Sequence, residues 1–166
     1  MNKVLVIGSP GAGKSTFARR LRDLTGLPLY YLDRLWHKPD KTTVPREAFD
    51  AALRDILKRD QWIIDGNYRR TLEPRLKASD TVFFLDYPVE VCLAGAAERI
   101  GKRREELPFV EEEFDEEFRQ QILNFPADTR PAVCELLDKY RADTRVVVFR
   151  SREEAETYLT EWGPKE

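Results

Sequence analysis

The sequence predicts an α/β fold in which a parallel sheet is covered by helices on both faces. Three observations carry this expectation. Short apolar runs rich in Val, Ile and Phe alternate along the chain with stretches of helical spacing. The first run leads directly into Gly8, Ser9, Pro10, Gly11, Ala12, Gly13, Lys14, Ser15 and Thr16, which fits the spacing G-x-x-x-x-G-K-S/T. Later runs end in Asp33, Asp65 and Asp86, at the strand ends where ligands of such sheets sit.

Residues 3–7 form an apolar run of strand length, and Phe17, Ala18, Leu21 and Leu24 follow at helical spacing until Gly26 supplies a stop. Residues 27–32 read as a second short strand. Residues 33–45, with two prolines and mixed charge, read as an irregular loop. Pro45 opens a helix with Phe49, Ala52, Leu53, Ile56 and Leu57 on one face. Residues 62–64 and 81–85 are the third and fourth strands, and Pro88 starts a helix through Val91, Leu93, Ala97 and Ile100. A charged, proline-bounded segment covers 102–116. Helical spacing over 117–140 is expected to break at Phe125 and Pro126. Residues 145–149 are the fifth strand and 153–162 a closing amphipathic helix. Gly8, Asp33, Asp65, Asp86 and Arg150 all fall at strand ends, which places them in one crevice.

A length of 166 residues suits one domain with a sizeable core. The net charge of −2 argues against a dedicated nucleic-acid binder, so direct DNA binding is not expected. No apolar run reaches membrane-spanning length. Met1, Asn2 and Lys3 lead straight into the first strand and leave no room for a signal peptide, so a cytoplasmic setting is expected. Cys92 and Cys134 lie in helical patterns and read as core thiols. With one His, the chain offers no zinc constellation.

The glycine-rich run is the strongest chemical signal. Phosphate recognition needs converging backbone N–H groups at a helix start, and side chains at Gly11 or Gly13 would obstruct their approach. Gly8 and residues Pro10 to Thr16 are therefore the candidate nucleotide-binding set. Lys14 is placed to reach the β- and γ-phosphates and Ser15 to coordinate Mg²⁺.

With this motif, residues 62–71 (strand, then Asp65, Gly66, Asn67, Tyr68, Arg69) and residues 80–88, the chain resembles nucleoside-monophosphate-kinase-like P-loop kinases. Within that group it is similar to the adenylate-kinase-like, FlaR-related family of DNA topology modulation proteins, through residues 32–39, 65–68, 103–108, 124–126 and 129–131. The resemblance covers nearly the whole chain. It implies a three-layer P-loop NTPase fold with a five-stranded parallel sheet in the order 2-3-1-4-5. It also implies a single kinase-like domain over 1–166, an acceptor-side insertion at about 33–60 and a short lid at about 104–125. Two positions depart from the pattern. Tyr68 stands where the kinase signature has proline, and the stretch Cys92, Leu93, Ala94, Gly95, Ala96, Ala97 lacks the nucleotide-facing arginine, leaving Arg99 or Arg103 to supply it.

The resemblance also implies roles. Asp65 is the first candidate for the Mg²⁺-linked carboxylate beside Ser15, and Asp86 the second; a strand-end Asp can equally cap a turn. Asp33 lies on the acceptor side, where an Asp can take the proton of an acceptor hydroxyl. It could instead cap its loop, and neighbouring Arg34 would suit a phosphate acceptor. Trp36, His37 and Tyr68 could line an acceptor pocket, although core packing accounts for Trp36 as well. Arg69, Arg99, Arg103, Arg104 and Arg130 are candidates for stabilising transferred phosphoryl oxygens. Charges at 102–106 could equally form a surface ion-pair array. The expected activity is γ-phosphoryl transfer from ATP, with Mg²⁺, to a small molecule of the nucleoside or nucleotide type. The alternative is a nucleotide-dependent regulator of DNA topology or expression. A GTPase switch ranks last, because no Asn-Lys-x-Asp signature occurs.

Overall fold

The computed structural model describes residues 1–162. Its elements run β1 (Lys3–Gly8), α1 (Lys14–Thr25), β2 (Leu29–Tyr31), α2 (Leu32–Trp36), α3 (Arg46–Leu57), β3 (Trp62–Asp65), α4 (Leu72–Ala78), β4 (Thr81–Leu85), α5 (Val89–Glu98), α6 (Glu116–Asp128), α7 (Arg130–Tyr140), β5 (Arg145–Phe149) and α8 (Arg152–Trp162). The five strands form one parallel sheet in the order β2-β3-β1-β4-β5, as expected. β1 is central, with Leu5 in register with Ile64 on one side and Val82 on the other.

The pleat sorts each strand into two cores. Val4, Val6, Ile63, Phe83 and Leu85 face α1, α5 and α8, packing on Phe17, Ala18, Leu21, Ala96 and Leu159. Leu5, Ile7, Trp62, Ile64, Val82 and Phe84 face the other layer, packing on Phe49, Leu53, Ile56, Leu72, Leu76, Val133 and Leu137. Burial on both faces is why β1, β3 and β4 read as unbroken apolar runs rather than alternating ones. Among the described residues no helix is long and apolar enough to cross a membrane.

Three stretches differ from the sequence reading. Residues 32–36 are a short helix, α2, so Asp33 sits in a helical first turn directly after β2; its carbonyl accepts from the His37 N–H at 2.9 Å. α6 runs through Pro126 and ends at Thr129, whose φ of −108° starts α7. Burial of Ile122 and Phe125 on one face carries the helix past the N–H that Pro126 lacks. α4 was not expected. It is short, Pro74 lies in its first turn, and the buried charged residue Arg75 breaks its apolar pattern.

Candidate active site

β1 ends at Gly8, and the loop to α1 closes with Ala12 N–H donating to the Ser9 carbonyl at 3.1 Å. Gly13 caps α1 in the left-handed region (φ 93°), where an L side chain would be strained, and its Cβ position faces open space. Gly11, also left-handed, has the opposite surroundings: a Cβ there would lie 2.0 Å from the Cys92 carbonyl of α5. Gly95 of α5 meets the loop in return, with its Cβ position 2.1 Å from the Gly11 carbonyl. The loop therefore rests backbone to backbone on α5 while its mouth stays open.

Lys14 and Ser15 open α1 and point toward the end of β3. Lys14 Nζ donates to the Ser9 carbonyl at 3.1 Å, and Ser15 Oγ donates to Asp65 Oδ2 at 2.5 Å. Asp65 is 5% exposed, and its Oδ1 is buried with no hydrogen-bond partner among the described residues. Burial pushes the Asp65 carboxyl up to about 6, against the pull of Lys14 and Ser15; Asp33 and Glu106 add to the rise. Burial likewise lowers the pKa of Lys14, opposed by Asp65 and Asp33. Two desolvated opposite charges thus hold each other only in part.

Asp33 faces the same cleft from α2. Its Oδ1 accepts from the Tyr68 hydroxyl at 2.6 Å, while Oδ2 has no hydrogen-bond partner among the described residues. Tyr68 comes from the loop after β3; burial, then the charge and hydrogen bond of Asp33, raise its pKa. Arg69 also lines the cleft and donates to the Asp128 carbonyl at 3.3 Å, tying this loop to α6. Arg99 lines the cleft at the end of α5, its guanidinium 5.1 Å above the Phe118 ring. Its Nε is buried and unpartnered among the described residues, and burial, then Arg104, lower its pKa. Trp36 and His37 line the cleft beyond Asp33, Trp36 edge-on to Phe49 and His37 edge-on to Phe109.

These residues border one cleft of about 1230 Å³, large enough for two small ligands. The structure does not bring every expected residue there. Arg103 is exposed and outside the cleft, whereas Arg104 lines it, held by Glu106 at 3.1 Å and by Glu111. Arg130 forms a bidentate pair with Asp86 (Nε to Oδ1 2.9 Å, Nη2 to Oδ2 2.8 Å), and Arg150 reaches the same carboxylate at 2.7 Å. Asp86 therefore clamps α7 and β5 together, and neither it nor Arg130 nor Arg150 lines the cleft. The reason lies in sheet order. β4 stands between β1 and β5, and the Asp86 carboxylate turns toward the arginines on the β5 side. Asp86 spends its oxygens there, away from the cleft.

Segment 102–115 folds over the cleft. Glu106 is buried between Arg19 and Arg104, Tyr31 and Arg22 hold Glu105, and Arg34 donates to the backbone carbonyls of Glu105 and Leu107. Asn67, Arg19 and Arg152 line the cleft without having been singled out as nucleotide or acceptor contacts. Arg104 adjoins Arg103, and only the path of the segment distinguishes them. Arg152 follows the last strand end by three residues, which is a usable signal.

No family model matches this chain. Residues of the chain are 29% identical over 103 positions to the adenylate kinase of Thermosipho melanesiensis, a match covering 60% of this chain and 47% of that protein. The adenylate kinase of Thermotoga maritima is also 29% identical, over 97 residues, covering 57% of this chain and 43% of that protein. The match thus spans less than half the length of these relatives. Among solved structures, shikimate kinase from Acinetobacter baumannii in complex with shikimate aligns over 97% of this chain and 92% of its own, with TM-score 0.62 and 19% identity. The fold is that of a P-loop kinase. At this identity the likeness speaks of fold, and the chemistry rests on the cleft.

Proposed function

We propose that this chain is an ATP-dependent kinase that transfers the γ-phosphoryl group to a hydroxyl of a small acceptor. The observation that carries this reading is the placement of Asp33, oriented by Tyr68, in the same cleft as the Lys14–Ser15–Asp65 cluster. The residues fit ATP with Mg²⁺. Gly13 leaves open space at the helix start, Lys14 supplies a cation, and the unpartnered buried Oδ1 of Asp65 suits a hard cation. Ser15 and Asp65 would hold the metal, Gly8 and Pro10 to Thr16 the phosphates. Bound ATP and Mg²⁺ supply the transferable group and neutralise its charge.

The chain's own residues do the rest. Asp33 accepts the hydroxyl proton at Oδ2 as the acceptor oxygen bonds to phosphorus and ADP departs. Tyr68 keeps Oδ1 occupied, so the free oxygen is the one presented. Arg69 and Arg99 offer guanidinium donors to phosphoryl oxygens. The segment about 104–125 serves as the lid that excludes water, so that ATP is not hydrolysed. The sequence resemblance and the adenylate kinase similarity support an acceptor of the nucleoside or nucleotide class; shikimate kinase supplies a precedent for this fold in complex with a small molecule, shikimate. Unpaired Cys92 and Cys134 support a reducing, cytoplasmic setting.

The test is an ATP-consumption screen over nucleosides, nucleoside monophosphates and polyols. Acceptor-dependent ADP formation is expected; ATP consumption indifferent to every acceptor overturns the kinase reading. The motifs shared with the topology modulation family support a second reading, nucleotide-dependent regulation. Net charge −2 weighs against direct DNA contact, and a salt-dependent DNA titration tests it.

A further inference from the structure

Arg75 of α4 is fully buried, with 0% exposure, and does not line the cleft. Among the described residues no carboxylate lies within ion-pair distance of it. Its guanidinium instead donates to oxygens of one loop: Nη1 to the Gly66 carbonyl at 2.9 Å, Nη2 to the Tyr68 carbonyl at 2.8 Å, and Nε to the Thr71 carbonyl and hydroxyl Oγ1 at 3.3 and 3.2 Å. A buried charge without a counter-ion is costly, and burial pushes this guanidinium down to about 9, with only Asp65 and Tyr68 opposing. Stability alone would favour an apolar side chain at such a site. A planar fork, however, can fix several carbonyls at once in set directions.

The loop it fixes is the one that carries Asn67, Tyr68 and Arg69 into the cleft. Gly66 begins that loop at φ 150°, and a Cβ there would meet the Leu32 side chain at 2.8 Å, beside Asp33. The loop is thus pressed against α2 on one side and tied to α4 on the other. Tyr68 is the link: its carbonyl accepts from Arg75 and its hydroxyl donates to Asp33 Oδ1 at 2.6 Å.

We infer that Arg75 is a positioning residue for the acceptor site, holding the loop 66–71 so that the Tyr68 hydroxyl orients the Asp33 carboxylate. This rests on the kinase reading, and the test separates the two. Aspartate labelled with ¹³C at the carboxyl reports Asp33 directly, its signal assigned by loss in Asp33→Asn. In Arg75→Met the Asp33 signal should move to the position it takes in Tyr68→Phe. In Arg75→Lys, which keeps the charge but not the fork, it should move part of the way. An Asp33 signal unmoved in either folded variant overturns the inference, and Arg75→Lys decides it if Arg75→Met does not fold. In turnover, kcat should fall on the order of 10²-fold, as for a misplaced catalytic group, with KM for ATP unchanged. That loss should be non-additive with Tyr68→Phe; additive losses overturn the inference. A wild-type protein inactive toward every acceptor removes the kinase reading instead, and the carboxyl signal still decides the placement.

Discussion

Ser15 Oγ donates a 2.5 Å hydrogen bond to Asp65 Oδ2, joining the first turn of α1 to the last residue of β3. This contact crosses between neighbouring strands, since β1 leads into α1 and pairs with β3. It leaves the other Asp65 oxygen buried and unpartnered among the described residues. The charge on that oxygen is opposed by burial, so its protonation is the first property to test.

Asp65 titrates near 6 in the folded chain, above its ordinary 3.8. Protonation therefore favours the folded state. The stabilisation is full below about 3.8, shrinks as pH rises through 6, and amounts to on the order of 3 kcal/mol between those limits. Asp65→Asn removes this dependence. The gap in Tm between wild type and Asp65→Asn, measured without nucleotide or metal, should widen in the variant's favour between pH 5 and pH 7.5. A constant gap refutes the burial account. The same variant should lose Mg²⁺-dependent turnover.

Lys14→Ala removes a cation whose charge is already opposed by burial. Stability should change little, but nucleotide affinity should fall by about 1.5–3 kcal/mol, the worth of a charge-assisted hydrogen bond. Calorimetric titration with an ATP analogue measures it, and unchanged affinity would remove the nucleotide role of this loop.

Asp33→Asn should lower the rate by about 10²–10⁴-fold with little effect on ATP affinity, because the shape is kept and the proton acceptor is lost. With a phosphate acceptor, Arg69→Ala should instead raise the acceptor KM. An active monophosphate kinase indifferent to Asp33→Asn would replace the hydroxyl acceptor by a phosphate.

For the lid, amide exchange in 104–125 should slow when an ATP analogue binds. In the free protein Glu106 and Glu111 already neutralise Arg104, and Arg34 pins the backbone at 105 and 107. Arg34→Ala should therefore speed exchange at 102–115 before nucleotide is added. Equal protection with and without the analogue speaks against a lid.

Asp86→Ala should destabilise by about 1–2 kcal/mol, less than for a fully buried ion pair, because Arg130 and Arg150 both reach solvent. Nucleotide affinity should stay at the wild-type value. A large affinity loss would return Asp86 to the metal site.

The sheet was legible because β1, β3 and β4 are buried on both faces, and burial writes itself as continuous apolar runs. The glycine-rich loop was legible because positive φ at Gly11 and Gly13, and the approach of Gly11 to α5, dictate glycine there. Asp86 misled for a physical reason: a strand end sets where a residue starts, and ion pairing with Arg130 sets where its side chain goes. Arg75 could not be found from pattern, since a buried arginine looks like a surface one on a short helix. The choice of Arg104 over Arg103 rests on the path of an irregular segment, which carries no periodicity to read.

The seam between Gly11 and Gly95 has a consequence for how this molecule can vary. Two glycines meet there with no side chain between them, and even a methyl group on either would collide with backbone. The seam itself is therefore closed to gradual change, because its smallest available step is already too large. The opposite end of the cleft is bordered by Trp36, His37 and Phe109 and by a segment joined through exchangeable ion pairs. On the proposed kinase reading, substitutions there would alter the acceptor without disturbing the glycine seam.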